Sequence, residues 1–509
     1  MTHAKAWFGL IVLTILTRLP AILHPAAIDD EKVYAVVANV MLDGGLPYRN
    51  AIERKPPLLF WVYSSVFDAF GKYNWAALHW VAVGWVLLTM VGLYVIGSTL
   101  HGRTAGILAA GFYSVLQPFA TAKNLAFNGE VLMNLPIVWG YALGLGCLGR
   151  TRNRLEVVLA GGLLGFAFLL KQPAAIAALP LGLYLLLSNG VAEEGCRPRA
   201  GLWAASLFGA GFAFVLGLVA LALYRDGILA EAYYWTITDH SIQYVFWERA
   251  LEHTALFAAA ALPIIIAPVF FRAQLAAAWS GHRDELATTG GWAIVSIIGV
   301  AAGGRFYPHY YIQLIPPLAV LCCPFYAILV QRYSADAASA RQLRRAAGWL
   351  GVGAAVTVVV QLRQLSEERA ASPPARFVAE HSLPRDRLFV WGQATGMYLE
   401  AQRQPASRYI ATFPLTGYIF GMPLRGVSTK DRIVRGSWQN LKKDFVHLPR
   451  FIIDAETGPD ARYPTTEFPY LSNLLAVSYH RVYRSREGDV YVLANEVNNE
   501  KFDQAWRAG

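Results

Sequence analysis

The chain has 509 residues, with 44 Lys and Arg against 34 Asp and Glu, a net charge of +10. Hydrophobic residues make up 55% and charged residues only 15%, where soluble domains carry about a quarter charged, and mean hydropathy is +0.37. This composition excludes a disordered chain, a collagen-like repeat and a disulfide scaffold, and it predicts an α-helical polytopic membrane protein.

Apolar runs able to cross about 30 Å of hydrocarbon recur along the first two thirds of the chain. They fall near 7–24, 75–98, 104–121, 130–148, 155–170, 174–189, 201–224, 253–271, 289–303, 310–330 and 346–362. That predicts about eleven transmembrane helices. The first has a long apolar core and a weak basic n-region, so it reads as an uncleaved anchor rather than a signal peptide. Cys147, Cys196, Cys322 and Cys323 lie in or near apolar stretches, where cysteine serves as a small packing residue. They show no zinc spacing, so no metal site is expected.

Orientation follows from basic residues in the short loops. Counted from a cytoplasmic N-terminus, the inside loops carry Arg103, then Arg150, Arg152 and Arg154, then Arg197 and Arg199, then Arg272 and Arg283, then Arg332, Arg341, Arg344 and Arg345. The chain therefore divides into a membrane domain, 1–362, and an exported tail, 363–509. In the tail, Arg387–Gly392 and Arg450–Asp454 read as strands and Ala394–Gln402 as a helix. The stretch Val477–Leu493 alternates around Glu487-Gly488-Asp489 and reads as a hairpin. A small α/β domain is expected.

Chemistry collects on the outside face. The first outer loop, 25–74, is far longer than a connector needs to be. It holds Asp29-Asp30-Glu31 and Tyr34, then a helical stretch Val33–Leu42 ending at Asp43-Gly44-Gly45. Glu53-Arg54-Lys55-Pro56-Pro57 then opens an aromatic stretch, Leu58–Tyr63, suited to lie along the interface. The same face receives Lys123, Glu130, Lys171-Gln172-Pro173, Asp239-His240 and the segment Arg305–Tyr311. Charges at a lipid boundary are costly unless they pair or line a wet cavity. Singly, Glu130 or Lys171 reads equally well as a snorkelling helix end, and Asp29-Asp30-Glu31 as an N-cap cluster. Together on one face they point to a site.

Asp30-Glu31 with Tyr34, Gly44-Gly45-Leu-Pro-Tyr48, and Glu53-x-Lys55-Pro56-Pro57-Leu-Leu-Phe-Trp61 resemble the first periplasmic loop of bacterial GT-C glycosyltransferases of families 39 and 83. These are similar to protein O-mannosyltransferases and aminoarabinose transferases. Asn128-Gly-Glu130, Lys171-Gln-Pro173 and His309-Tyr-Tyr-x-Gln-Leu-x-Pro316-Pro317 fit the same group, and the resemblance covers roughly residues 10–330. An extra acid, Asp29, departs from the pattern. The tail, with Phe389–Gly392 and Pro405–Tyr409, looks like uncharacterised bacterial members and identifies no acceptor.

The resemblance implies an inner-membrane enzyme that passes a sugar, with inversion, from a polyprenyl-phosphate donor to an envelope lipid, glycan or protein at the periplasmic face. Membrane lipids are its surroundings, and nucleic acid is not a partner. Such a reaction needs a carboxylate base for the acceptor hydroxyl and cations for the departing phosphate. Asp30 is the expected base, with Glu31 or Glu130 as positioning partner or ligand of a divalent cation, although no cofactor is expected. Lys55, Lys171 and Arg305 are assigned to the phosphate, and Tyr307, His309 and Tyr310 to sugar or phosphate contacts. Two other classes stay open. A secondary transporter or lipid flippase would carry midplane charges and an internal repeat, neither of which is found. A scaffold displaying its tail would have no use for the Asp-Glu and Glu-x-Lys-Pro-Pro patterns.

Overall fold

The structure, a computed structural model, describes residues 3–26, 28–119, 121–149, 153–187, 198–240, 245–270, 276, 279–334, 337–367, 372–418, 428–457 and 461–494. Each of the eleven apolar stretches overlaps a helix. In chain order these helices are α1 (His3–Leu23), α4 (Trp75–His101), α5 (Arg103–Leu116), α6 (Gly129–Gly144), α7 (Arg154–Leu170), α8 (Ala178–Leu187), α9 (Pro198–Arg225), α11 (Trp247–Phe270), α12 (Arg283–Ala301), α13 (Ile315–Ser334) and α14 (Ala337–Glu367). Among the described residues, five helices are long and apolar enough by themselves to cross a membrane: His3–Leu23, Trp75–His101, Ala200–Arg225, Trp247–Ile266 and Pro308–Arg332. Of the basic loop residues, Arg150, Arg152, Arg197 and Arg272 lie outside the described residues.

Local chemistry sets the ends of these helices. Asn74 accepts from the Ala77 N–H, Asn128 from the Val131 N–H, and Asn153 with Glu156 makes a reciprocal capping box. Between the spans lie α2 (Asp29–Leu42), α3 (Pro57–Phe70) and α10 (Leu229–Thr236). Asp43 caps α2 and Gly44 follows at φ +83°, a left-handed turn that ends the helix where the sequence placed it. Pro57 starts α3, where its missing N–H costs nothing.

The helices pack through small residues. On α7 and α9, Gly161 lies against the Phe208 carbonyl and Gly211 against the Val158 carbonyl, so any Cβ at either position would collide with backbone. Without a hydrophobic drive between helices in lipid, such close approach is a main source of association. Gly161→Ala is expected to cost about 1–3 kcal/mol, read as a lower unfolding temperature in detergent. Gly209→Ala, at a position with open space around it, serves as the control. Equal stability of the two variants would show that α7 and α9 are not in contact.

Among the described residues the tail forms one five-stranded sheet in the order β2-β1-β3-β5-β4. Strand β1 (Arg387–Trp391) runs parallel to β2 (Gln404–Pro405) and β3 (Phe451–Asp454). The hairpin β4 (Tyr479–Ser485) and β5 (Gly488–Leu493) completes it antiparallel, with Ile452 of β3 opposite Tyr491 of β5. The expected hairpin turn shifts slightly: Ser485 pairs with Gly488, so Arg486-Glu487 make the turn and Gly488 already belongs to the strand. The expected helix 394–402 is shorter, Gly396–Glu400. This domain docks on the first outer loop. The Ile52 N–H donates to the Arg408 carbonyl at 2.8 Å, Lys32 Nζ lies 3.4 Å from Glu400 Oε1, and the Gln404 amide donates to the Asp43 carboxylate.

Candidate active site

Helix α2 begins right after Ile28, so Asp29, Asp30 and Glu31 form its first turn, and successive side chains point about 100° apart. The side chain of Asp29 lies outside the described residues. Asp30 is 43% exposed, and its Oδ2 stands 3.7 Å from His309 Nε2. Glu31 is fully buried on another side of the helix. Its Oε1 accepts the Phe127 N–H at 2.6 Å, and its Oε2 lies 3.5 Å from His79 Nε2.

The two acids therefore face different environments. Burial pushes the Glu31 carboxyl up to about 8, with the Phe127 N–H opposing it. The folded chain then holds a proton that the unfolded chain releases near 4.5. The stabilisation from that proton is complete below about pH 4.5 and is lost as pH rises through about 8. Glu31→Gln, neutral and of the same shape, is expected to remove a stability loss of up to about 1.4 kcal/mol per pH unit over that window. Parallel stability–pH curves for the two proteins would rule this out.

Glu130 enters at the N-terminus of α6 and is 1% exposed. It is held in a buried ion pair by Lys171 at the C-cap of α7, and its Oε1 lies 3.9 Å from His309 Nε2. The Lys171 Nζ also sits 4.3 Å above the Tyr310 ring. His309 and Tyr310 belong to a 3-10 turn, Pro308–Leu314, that leads into α13. Tyr307 stacks on His309 with ring centroids 5.6 Å apart. Lys55, half-buried at the mouth of α3, is within electrostatic reach of Glu130, Lys171 and His309. Arg305, also half-buried, acts on Tyr310 and on Arg54. The fold thus collects Asp30, Lys55, Glu130, Lys171, His309 and Tyr310 from five segments distant in sequence. Glu31 faces away from this group, and Lys123 is exposed.

One pairing and two further cations around the site were not read from the sequence. Arg54 pairs with Asp239, Nε to Oδ2, at 2.6 Å. The Arg249 guanidinium lies 5.3 Å from the centre of the Tyr307 ring and adds a cation on the Arg305 side. Arg18 on α1 is 1% exposed and donates to Gln117 Oε1 at 2.9 Å and to the Leu125 carbonyl at 2.6 Å. It thereby holds the segment that leads to Asn128 and Glu130. A single arginine inside an apolar span was the signal for it. Among the described residues no group of three or more His, Cys, Asp or Glu side chains is arranged to hold a metal ion.

A family profile described as dolichyl-phosphate-mannose-protein mannosyltransferase matches residues 54–216, a stretch that includes Lys55, Glu130 and Lys171 but not Asp30 or His309. No curated protein matches the sequence. Among solved structures the chain is similar to ArnT from Cupriavidus metallidurans bound to undecaprenyl phosphate, at 16% identity and a TM-score of 0.64, over 96% of this chain and 99% of that one. Against ArnT from the same organism in the apo state the values are 15% and 0.61, over 96% and 98%. The Archaeoglobus fulgidus oligosaccharyltransferase in complex with Zn and sulfate is 14% identical with a TM-score of 0.50, over 96% of this chain and 73% of that one. The chain has the GT-C fold: a multi-pass helical membrane domain followed by a small sheet domain.

Proposed function

We propose that this protein is an inverting membrane glycosyltransferase. It moves a sugar from a polyprenyl-phosphate donor to a hydroxyl of an envelope acceptor, at the periplasmic face of a bacterial inner membrane. The observation that carries this reading is the convergence of one accessible carboxylate, Asp30, with Lys55, His309 and the Glu130–Lys171 pair at one end of the bundle. The profile match and the fold shared with ArnT bound to undecaprenyl phosphate support it.

In this reading the acceptor hydroxyl gives its proton to Asp30 while its oxygen attacks the anomeric carbon. The bond from that carbon to the phosphate oxygen breaks on the opposite side, and polyprenyl phosphate leaves with the electron pair. His309 lies between Asp30 and Glu130 and holds the base in place. The Lys171 charge is already matched by Glu130, so the growing charge on the phosphate falls to Lys55 and Arg305. Purified protein given a panel of polyprenyl-phosphate sugars and envelope extract should release polyprenyl phosphate only when an acceptor is present. Movement of intact donor across a vesicle bilayer without cleavage would replace this reading with a flippase.

Lys55 provides a sharper test. Its carbonyl accepts from the Tyr48 hydroxyl at 2.8 Å, which fixes the backbone beneath the side chain. Lys55→Gln removes the charge and should reduce donor turnover strongly, whereas Lys55→Arg keeps it and should reduce turnover less. Mild and equal losses would make Lys55 a solvated surface residue.

A further inference from the structure

The sequence places Arg54 between two residues of the Glu53-x-Lys55 pattern, and its side chain is taken up by an acid rather than left open. Its guanidinium pairs with Asp239, with the two side chains only 12% and 13% exposed. It also lies 4.2 Å from the centre of the Phe413 ring, which belongs to the tail domain. Phe413 in turn meets Trp235 of α10 edge to face at 6.3 Å. The Arg54 backbone is held as well. Its carbonyl accepts from Gln172 Nε2 at 2.9 Å, and the same amide donates to the Thr236 carbonyl at 3.1 Å.

Four separate parts of the chain therefore meet at Arg54: the first outer loop, the α7–α8 junction, the end of α10 and the tail domain. Both neighbours of this knot carry the site's lysines. Lys55 follows Arg54 directly, and Lys171 precedes Gln172. A phosphate ligand at Arg54 would need a guanidinium open to the site, but this one is buried on Asp239 and covered by Phe413. Resting on the proposed function, we infer that the Arg54–Asp239 pair, capped by Phe413, is a positioning lock that fixes Lys55 against the donor phosphate. Through it the docked tail domain sets donor affinity. Arg54 and Asp239 are positioning residues, since they act on the phosphate only through Lys55.

Binding of a synthetic polyprenyl phosphate to the full-length protein in detergent micelles, followed by tryptophan fluorescence, tests this without turnover. Arg54→Met should weaken binding about tenfold, Arg54→Lys should weaken it less because the ion pair survives, and Phe413→Leu should weaken it in the same direction while keeping an apolar side chain in the joint. In a Lys55→Gln background, each of these changes should have almost no further effect, because the group they position is gone. A merely structural role, or direct contact of Arg54 with phosphate, would instead multiply with the loss at Lys55. Multiplicative losses overturn the inference, as does wild-type affinity in both Arg54→Met and Phe413→Leu. Failure of the wild-type protein to bind the probe at all would overturn the proposed function as well.

Discussion

Asp30→Asn is expected to lower sugar transfer by about 10²–10⁴-fold, the usual loss when a general base is removed, while leaving expression and donor binding close to wild type. The argument is geometric. Of the three acids in the first turn of α2, Glu31 is fully buried and accepts the Phe127 N–H, so it cannot meet an acceptor. Asp30 keeps nearly half of its side-chain surface open and stands 3.7 Å from His309. Asparagine has the same shape and cannot take up the proton. If Asp30 only favoured the N-terminus of α2 by its charge, the change would cost about 0.3–1 kcal/mol of stability and spare the rate. Asp29→Asn is the internal control and should be tolerated much better. Initial rates of polyprenyl phosphate release, measured with acceptor present, distinguish these outcomes. A dead Asp29→Asn beside an active Asp30→Asn would move the base by one residue. Near-normal rates in both would remove the chemistry from this loop.

How much of this was legible in the sequence depends on the range of the interaction. The helices were readable because apolar runs are local, and the end of α2 because Gly44 turns the chain by its own backbone freedom; the caps at Asn128 and Asn153 are equally local but were not read. Four of the tail's five strands were readable from apolar runs, alternation and turn residues, with the hairpin turn displaced because Gly488 pairs within the ladder; the two-residue β2 is too short to leave a pattern. The first outer loop could be read because its pattern is contiguous. Pairings between loops could not. Nothing in the order of residues says that Arg54 finds Asp239 or that Ile52 bonds to Arg408 in the tail. The two acids of the Asp30-Glu31 pair look interchangeable as letters. Only the packing of α2 against Phe127 and His79 separates a buried acid from an accessible one.

Lys171→Met is expected to destabilise the fold by about 3–5 kcal/mol, the cost of leaving a buried charge without its partner. Glu130 is 1% exposed, and with Lys171 gone the group left beside it is the His309 ring at 3.9 Å, which carries a charge only when protonated. The methionine fills much of the space of the lysine stem and can lie on the Tyr310 ring that the ammonium now faces. The loss therefore reports charge rather than volume. Adding Glu130→Gln removes the stranded carboxylate, so the double variant should unfold at a higher temperature than Lys171→Met alone. The reversal is the informative part, because two independent defects would add. A single Lys171→Met variant as stable as wild type would mean that Glu130 is not charged in the folded protein. The double variant should still transfer poorly even where its stability recovers. The pair sits against His309, and His309 sets the approach to Asp30, so restoring neutrality does not restore the alignment on which the base depends.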